Sequence, residues 1–173
     1  VLSGAKVTLV SGPTNLQPPF KSKLIKVTTA KEMLKAVIDN SKVDLAILAA
    51  AVSDASPNKA FIKKIKKENL KNITLKKNKD ILYKISTLKK NRPKVVIGFA
   101  AETNNHIINA RKKLLEKKCD AIIVNKISKK NKVFNSEMNT VSFISKKLTL
   151  HFKKTSKVNV AKKMIELIGK LEK

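Results

Sequence analysis

Five short runs of mostly apolar residues, set apart by longer polar or amphipathic stretches, limit the possible folds of this chain more than any other feature. They are Val7-Thr8-Leu9-Val10, Leu24-Ile25-Lys26-Val27, Leu45-Ala46-Ile47-Leu48, Val95-Val96-Ile97-Gly98-Phe99 and Ala121-Ile122-Ile123-Val124. A strand with one wet face alternates apolar and polar side chains, whereas a run apolar at successive positions needs cover on both faces. The cover is written between the runs. Met33, Leu34 and Val37 give a helix over Ala30 to Asp39 that Thr28-Thr29 can cap, and Ile81, Leu82, Ile85 and Leu88 give one from Asp80 to about Lys89. A longer helix is predicted from Thr103 through Lys118. Strands alternating with helices predict an α/β fold, a Rossmann-like mostly parallel sheet with helices on both faces. Val141 to Ser145 and Leu148 to Phe152 alternate around Lys146-Lys147 as a C-terminal β-hairpin, and Val158 to Leu171 closes the chain as an amphipathic helix. The stretch from Ser53 to about Asn72 reads as a loop, with Ile73-Thr74-Leu75 extended. At 173 residues, with no repeat and no low-complexity linker, the chain reads as a single domain over 1–173.

Charge is the next constraint. The chain carries 39 Lys+Arg against 12 Asp+Glu, a formal net charge of +27. Such a balance suggests a polyanion partner, but its texture argues against a specific nucleic-acid reader. Only Arg92 and Arg111 are arginine, aromatic residues are 4%, and the lysines run from Lys6 to Lys173 without forming one basic arm. Sequence-specific readers rely on bidentate arginine, and single-strand binders on interleaved aromatics. Abundant Lys, Asn and Ile read as the drift of an A- and T-rich genome. No apolar run approaches the ~18–20 residues of a membrane span. The N-terminus shows no signal-peptide pattern, and it begins with Val1 rather than Met, as a fragment or processed product would. Cys119 stands alone, which excludes a disulfide framework and a cysteine-cluster zinc site and fits a reducing cytoplasm.

In open α/β sheets, ligands bind beyond the C-terminal ends of the strands. Here those ends lead from Val10 into Ser11-Gly12, from Leu48 into Ala49-Ala50-Ala51, and from Ile97 into Gly98-Phe99-Ala100-Ala101-Glu102-Thr103. Small residues let a ligand approach the backbone, and a helix start offers unpaired N–H groups to anions. Together these ends predict a nucleotide-type crevice. Neither a G-x-G-x-x-G nor a Walker loop is present, so neither a dinucleotide nor a P-loop assignment has direct support.

Taken in order, the segments resemble the phosphopantothenoylcysteine synthetase family, the synthetase half of a bacterial bifunctional coenzyme A biosynthesis protein. The matching pieces are Ala5 to Pro13, Thr28 to Met33, Ala49-Ala50-Ala51-Val52-Ser53-Asp54, Lys64-Ile65-Lys66-Lys67, Gly98 to Thr103, and Ala110 to Leu114 with Lys117 and Asp120. Asn125, Phe134 and Asn139-Thr140-Val141 complete the set. The resemblance covers essentially the whole chain.

It implies a ligase that uses CTP with Mg2+ to activate the carboxylate of 4′-phosphopantothenate as an acyl-cytidylate, releasing pyrophosphate. Cysteine then displaces CMP. It further implies a homodimer in the cytoplasm whose Lys64 loop reaches the partner's site. A flavin-dependent decarboxylase half, the only place for FMN, is absent from this stretch, and so is the family's opening strand–loop–helix, which would end near Ser3-Gly4-Ala5. Carried over by position, Lys64, ten residues after Asp54, is the catalytic lysine. Nucleotide contacts fall to Leu48, Ala49, Ala50, Asp54, Lys64, Asn78, Lys79, Asp80, Ile81, Phe99, Lys113 and Lys117, with Asp54 also placed at the nucleotide's metal. Lys79 stands where the family has Pro. Lys113 and Lys117 form an i, i+4 pair of like charges, mildly unfavourable unless something anionic or carbonyl-bearing lies nearby, and the resemblance links them to the preference for cytosine. His106 and His151 read as structural, and Cys119 as a small buried side chain. On residues alone, a basic nucleic-acid-binding module and a non-catalytic dimerisation domain remain the alternatives.

Overall fold

The computed structural model describes residues 1, 3–59, 66, 72–127 and 136–171. Its contacts divide the chain into two interleaved compact units, Val1–Asn40 with Ala50–Ile81, and Ser41–Ala49 with Leu82–Lys173.

In the first unit, β1 (Thr8–Ser11) pairs in parallel with β2 (Lys23–Lys26), Leu9 opposite Leu24 and Val10 opposite Ile25. Helix α1 (Ala30–Asp39) has the bounds its apolar spacing predicts. Its start is fixed by a reciprocal capping box: the Glu32 amide donates to Thr29 Oγ1 at 3.1 Å, and the Thr29 amide donates to Glu32 Oε2 at 3.2 Å. The Thr28 amide adds a 2.7 Å bond to the same carboxylate oxygen. Strand β4 (Ala55–Pro57) runs antiparallel to β5 (Leu75–Lys77) as a narrow ribbon. This corrects the expectation of an unbroken loop from Ser53. A three-residue strand ending in proline leaves no periodicity to read, and only its partner defines it. The Ile73–Leu75 extension likewise shifts two residues onward to β5.

The second unit is built on a five-stranded sheet of order β3-β6-β7-β8-β9. Strands β3 (Leu45–Leu48), β6 (Val95–Glu102) and β7 (Ala121–Lys126) are mutually parallel, and the hairpin β8 (Met138–Ser145) with β9 (Thr149–Ser156) continues the sheet antiparallel. Both faces are covered, as the apolar runs demand. Val95, Ile97, Ala121, Ile123, Val141 and Phe143 point to one face and pack with Val160, Met164 and Ile168 of α4 (Lys157–Leu171). Val96, Ile122, Val124 and Ile144 are fully buried on the opposite face. Helix α2 (Ile81–Ser86) packs on that face through Leu82, and α3 (His106–Lys117), which connects β6 to β7, packs against β6, β7 and β8. The packing there is close at Gly98, where a Cβ would collide with Leu82 Cδ2 and stand 2.9 Å from Ile122 Cδ1.

Most strand bounds shift or extend by one to four residues from the sequence reading, the hairpin to Met138–Ser145 and Thr149–Ser156 among them, and two helix boundaries move as well. Strand β6 does not yield to a helix at Thr103. Ala100, Ala101 and Glu102 stay extended opposite Val124, Asn125 and Lys126, and the left-handed Asn105 (φ 47°) delays α3 until His106. Helix α2 ends at Ser86 rather than near Lys89: the Thr87 amide still donates to the Tyr83 carbonyl at 3.1 Å, but Leu88 donates to Ile85 in a tighter turn, and Asn91 (φ 57°) and Pro93 follow.

Candidate functional site

Parallel pairing brings the C-terminal ends of β3, β6 and β7 to one edge of the second unit. Leu48, opposite Gly98, is half-buried, and Ala49 beyond it is exposed. Phe99 is half-buried against the core beneath α4, beside Leu45, Phe152 and Leu167 in the same shell. At the tip of β6 stands Glu102. One carboxylate oxygen, Oε2, accepts a 3.0 Å bond from Asn109 Nδ2, while Oε1 lies 3.6 Å from the ammonium of Lys113. The Glu102 carbonyl also accepts the Ile127 amide at 2.9 Å, so the carboxylate springs from a fixed strand end. Lys113 and Lys117 sit one helical turn apart on α3, both half-buried.

Below the same edge, two buried amides tie three strands. Asn139 on β8 donates through Nδ2 to Asn125 Oδ1 on β7 at 2.6 Å, and Asn125 Nδ2 reaches the Ala100 carbonyl on β6 at 3.5 Å. The Thr140 amide satisfies Asn139 Oδ1 at 2.9 Å. Full pairing is what makes such polar groups tolerable inside a core.

In the first unit, the antiparallel register sets Asp54 across from Asn78. The Asn78 amide donates to the Asp54 carbonyl at 2.8 Å, its Nδ2 donates to the Ser53 carbonyl at 2.9 Å, and its Oδ1 accepts the Ser56 hydroxyl at 2.9 Å. The side chain of Asn78 is therefore committed to shaping the Ser53–Ser56 turn. Ala50, Asp54, Lys79 and Asp80 are exposed, and Ile81 is buried. None of the Asn78 bonds uses residue 79, so lysine in place of proline leaves the turn intact. Asp54 has no cluster of ligands around it: among the described residues no three His, Cys, Asp or Glu side chains could hold a metal together. A single exposed carboxylate matches the one or two protein ligands that a phosphate-borne magnesium ion takes. Lys64 and Phe134 lie outside the described residues.

Other titratable groups are structural. His151 Nδ1 lies 2.8 Å from the Ser142 hydroxyl across the hairpin. His106 is held below its ordinary value, first by burial and then by the charges of Lys126 and His151. Burial pushes the Cys119 thiol up to about 11, which leaves it inert at neutral pH. Asp120 accepts Arg92 Nη2 at 2.8 Å and the Val96 amide at 2.7 Å, bracing the start of β6. Sequence reasoning gives Glu102 and Asn109 no part at this edge, where the structure joins both to Lys113 through the Glu102 carboxylate. Glu102 was visible only as part of the Gly98–Thr103 motif, and nothing in its spacing from Lys113 announces an ion pair across a turn.

A parallel α/β core, with small residues and a carboxylate–lysine pair at its C-terminal strand ends, defines an open α/β domain of the kind that takes ligands at those ends. Residues 1–171 match the DNA/pantothenate metabolism flavoprotein C-terminal domain, and the chain belongs to that family. It is 38% identical over 174 residues to the coenzyme A biosynthesis bifunctional protein CoaBC of Vibrio vulnificus, covering 96% of this chain and 43% of the relative. With the Escherichia coli K12 protein of the same name it shares 43% identity over 145 residues, 80% of this chain and 35% of the relative. Among solved structures, the C-terminal domain of a CoaBC protein superposes with a TM-score of 0.77 at 34% identity, covering 95% of this chain and 74% of that one. The chain thus spans less than half the length of these bifunctional relatives. No helix among its described residues is long and apolar enough to cross a membrane.

Proposed function

We propose that this domain is the phosphopantothenate–cysteine ligase of coenzyme A biosynthesis. The observation that carries the reading is the strand-end edge of the second unit, where the family's motif residues Leu48 and Ala49 close β3 beside β6 and a lysine of α3 pairs with Glu102 at the tip of β6. Its likeness in sequence to proteins named for coenzyme A biosynthesis supports the same reading.

A carboxylate is a poor acyl donor until one of its oxygens carries a good leaving group. The carboxylate oxygen of 4′-phosphopantothenate attacks the α-phosphorus of CTP. The bond to the bridging oxygen breaks, and pyrophosphate leaves with the electron pair. The amine of cysteine then attacks the acyl carbon, CMP departs, and the amine proton passes to solvent. The protein's part is to hold two anions in line and to offset the charge on the departing phosphates. Lys113 and Lys117 serve the nucleotide, Lys64 serves the acyl-cytidylate, and Asp54, on the turn built by Asn78, would hold phosphate-borne magnesium, which would supply Lewis-acid charge. We further propose a cytoplasmic homodimer, as the unpaired Cys119 and the resemblance suggest. FMN belongs to a decarboxylase half like that implied by the relatives' bifunctional name.

The test uses protein expressed from its complete reading frame, with 4′-phosphopantothenate, cysteine, CTP and magnesium. The expected result is pyrophosphate release that depends on CTP, with formation of phosphopantothenoylcysteine. Lys64→Gln should lower turnover far more than Lys59→Gln. Absence of pyrophosphate release would overturn the assignment.

A further inference from the structure

We infer that Glu102 is a specificity-determining positioning residue, which aims the Lys113 ammonium so that it reads the nucleotide rather than merely attracting phosphate. The inference rests on the proposed CTP-dependent activity and concerns how that site selects its substrate.

In a chain with 39 cationic and 12 acidic side chains, attraction for a triphosphate is abundant, whereas direction is scarce. A lysine ammonium is a point charge on a flexible four-carbon stem, with rotamer entropy to lose on ordering. Left to itself at a strand end, it would bind any polyanion and select among none. Glu102 changes this at the cost of some attraction, since it brings negative charge to an anion site. That choice makes sense only where orientation matters more than raw affinity.

The geometry is built for orientation. The backbone of Glu102 is the last paired position of β6, opposite Lys126, and its carbonyl is tied to Ile127. Asn109 takes one carboxylate oxygen from the first part of α3 and leaves the other for Lys113. The pair is also better sheltered than its neighbour. The side chains of Lys113 and Glu102 are 38% and 21% exposed, against 75% and 56% for Lys112 and Glu116 on the outer side of the same helix. At 3.6 Å the contact is an ion pair without a tight hydrogen bond, a partly exposed arrangement that contributes little to folding. Its consequence is where the ammonium points.

The experiment measures equilibrium binding of CTP, UTP and inorganic pyrophosphate to wild type, Glu102→Gln, Lys113→Met and the double variant, in protein expressed from its complete reading frame. In wild type, CTP should bind more tightly than UTP. Glu102→Gln should cut that CTP-over-UTP ratio about tenfold, a coupling typical of groups in contact, while pyrophosphate binds equally well or more tightly. In the Lys113→Met background, adding Glu102→Gln should change the ratio no further, and Glu102→Asp should restore part of it. Equal weakening of all three ligands, an unchanged ratio in Glu102→Gln, or a further drop in the double variant would overturn the inference. Wild-type protein that binds CTP and UTP alike would instead overturn the CTP reading on which the inference rests.

Discussion

The two units of this chain solve the problem of holding a loop in place by opposite means. The second unit uses hydrophobic burial: Ile97, Ile122, Val96, Val124, Phe143 and Ile144 are fully enclosed, and the site residues project from strand ends that the core cannot let move. The first unit has little of this. Its β4–β5 ribbon is largely exposed, α1 contains no fully buried residue, and order comes from hydrogen bonds, at the Thr29–Glu32 box and around Asn78. Burial scales with area and makes a cooperative block, whereas a few polar bonds fix a turn locally without stabilising much else. The strand-end edge of the second unit is thus built on the first principle, and the exposed turn carrying Asp54 on the second.

The largest effect that could break this comparison is expected in the second unit. Phe143→Ala removes a fully buried ring from the cluster beneath α4 and should cost about 3–5 kcal/mol. It should appear in chemical denaturation and as faster alkylation of Cys119, whose burial otherwise protects it. If Cys119 stays protected and the midpoint hardly moves, the unit is not the cooperative block described.

A smaller and local effect is expected from Asn78→Ala, about 1 kcal/mol for the lost bonds. Amides of the β4–β5 ribbon should exchange faster with solvent while those of β6 and β7 do not change. Equal acceleration in both would mean that the units do not differ in this way.

The smallest effect concerns pH. Backbone bonds from Thr28 and then Thr29 hold the Glu32 carboxyl below its ordinary value. A depressed acid stabilises the fold above its unfolded pKa, and that contribution is lost as pH falls through the lower folded value. Helix α1 should therefore loosen on acidification below the usual carboxylate range, which amide exchange can follow. Glu32→Gln should flatten this dependence and leave the exchange of β6 and β7 unchanged.

Much of the architecture was legible because burial writes itself into periodicity. The helix from Ala30 to Asp39 and the strand from Leu45 to Leu48 have the bounds their residues predict, and the apolar runs at Val95 and Ala121 are the central parallel strands. The pattern failed where a segment's conformation is imposed by a partner. β4 is a strand only because β5 lies beside it, and Ala100-Ala101-Glu102 stays extended only because β7 does.

The site divides along the same line. Residue order alone was enough to place the chain in its family, since the motifs are local strings, and the roles proposed for Asp54, Asn78, Phe99 and Lys113 come from those strings. Sequence could not say that the Asn78 side chain is spent on Ser53 and Ser56, nor that Glu102 faces Lys113 across a turn. Nor could it join Asn125 to Asn139 across neighbouring strands. The sequence by itself determined which segments must be buried, because hydrophobicity is a property of each residue. Only the tertiary structure decided which polar groups meet, because a hydrogen bond or ion pair depends on a distance of a few ångströms between residues far apart along the chain.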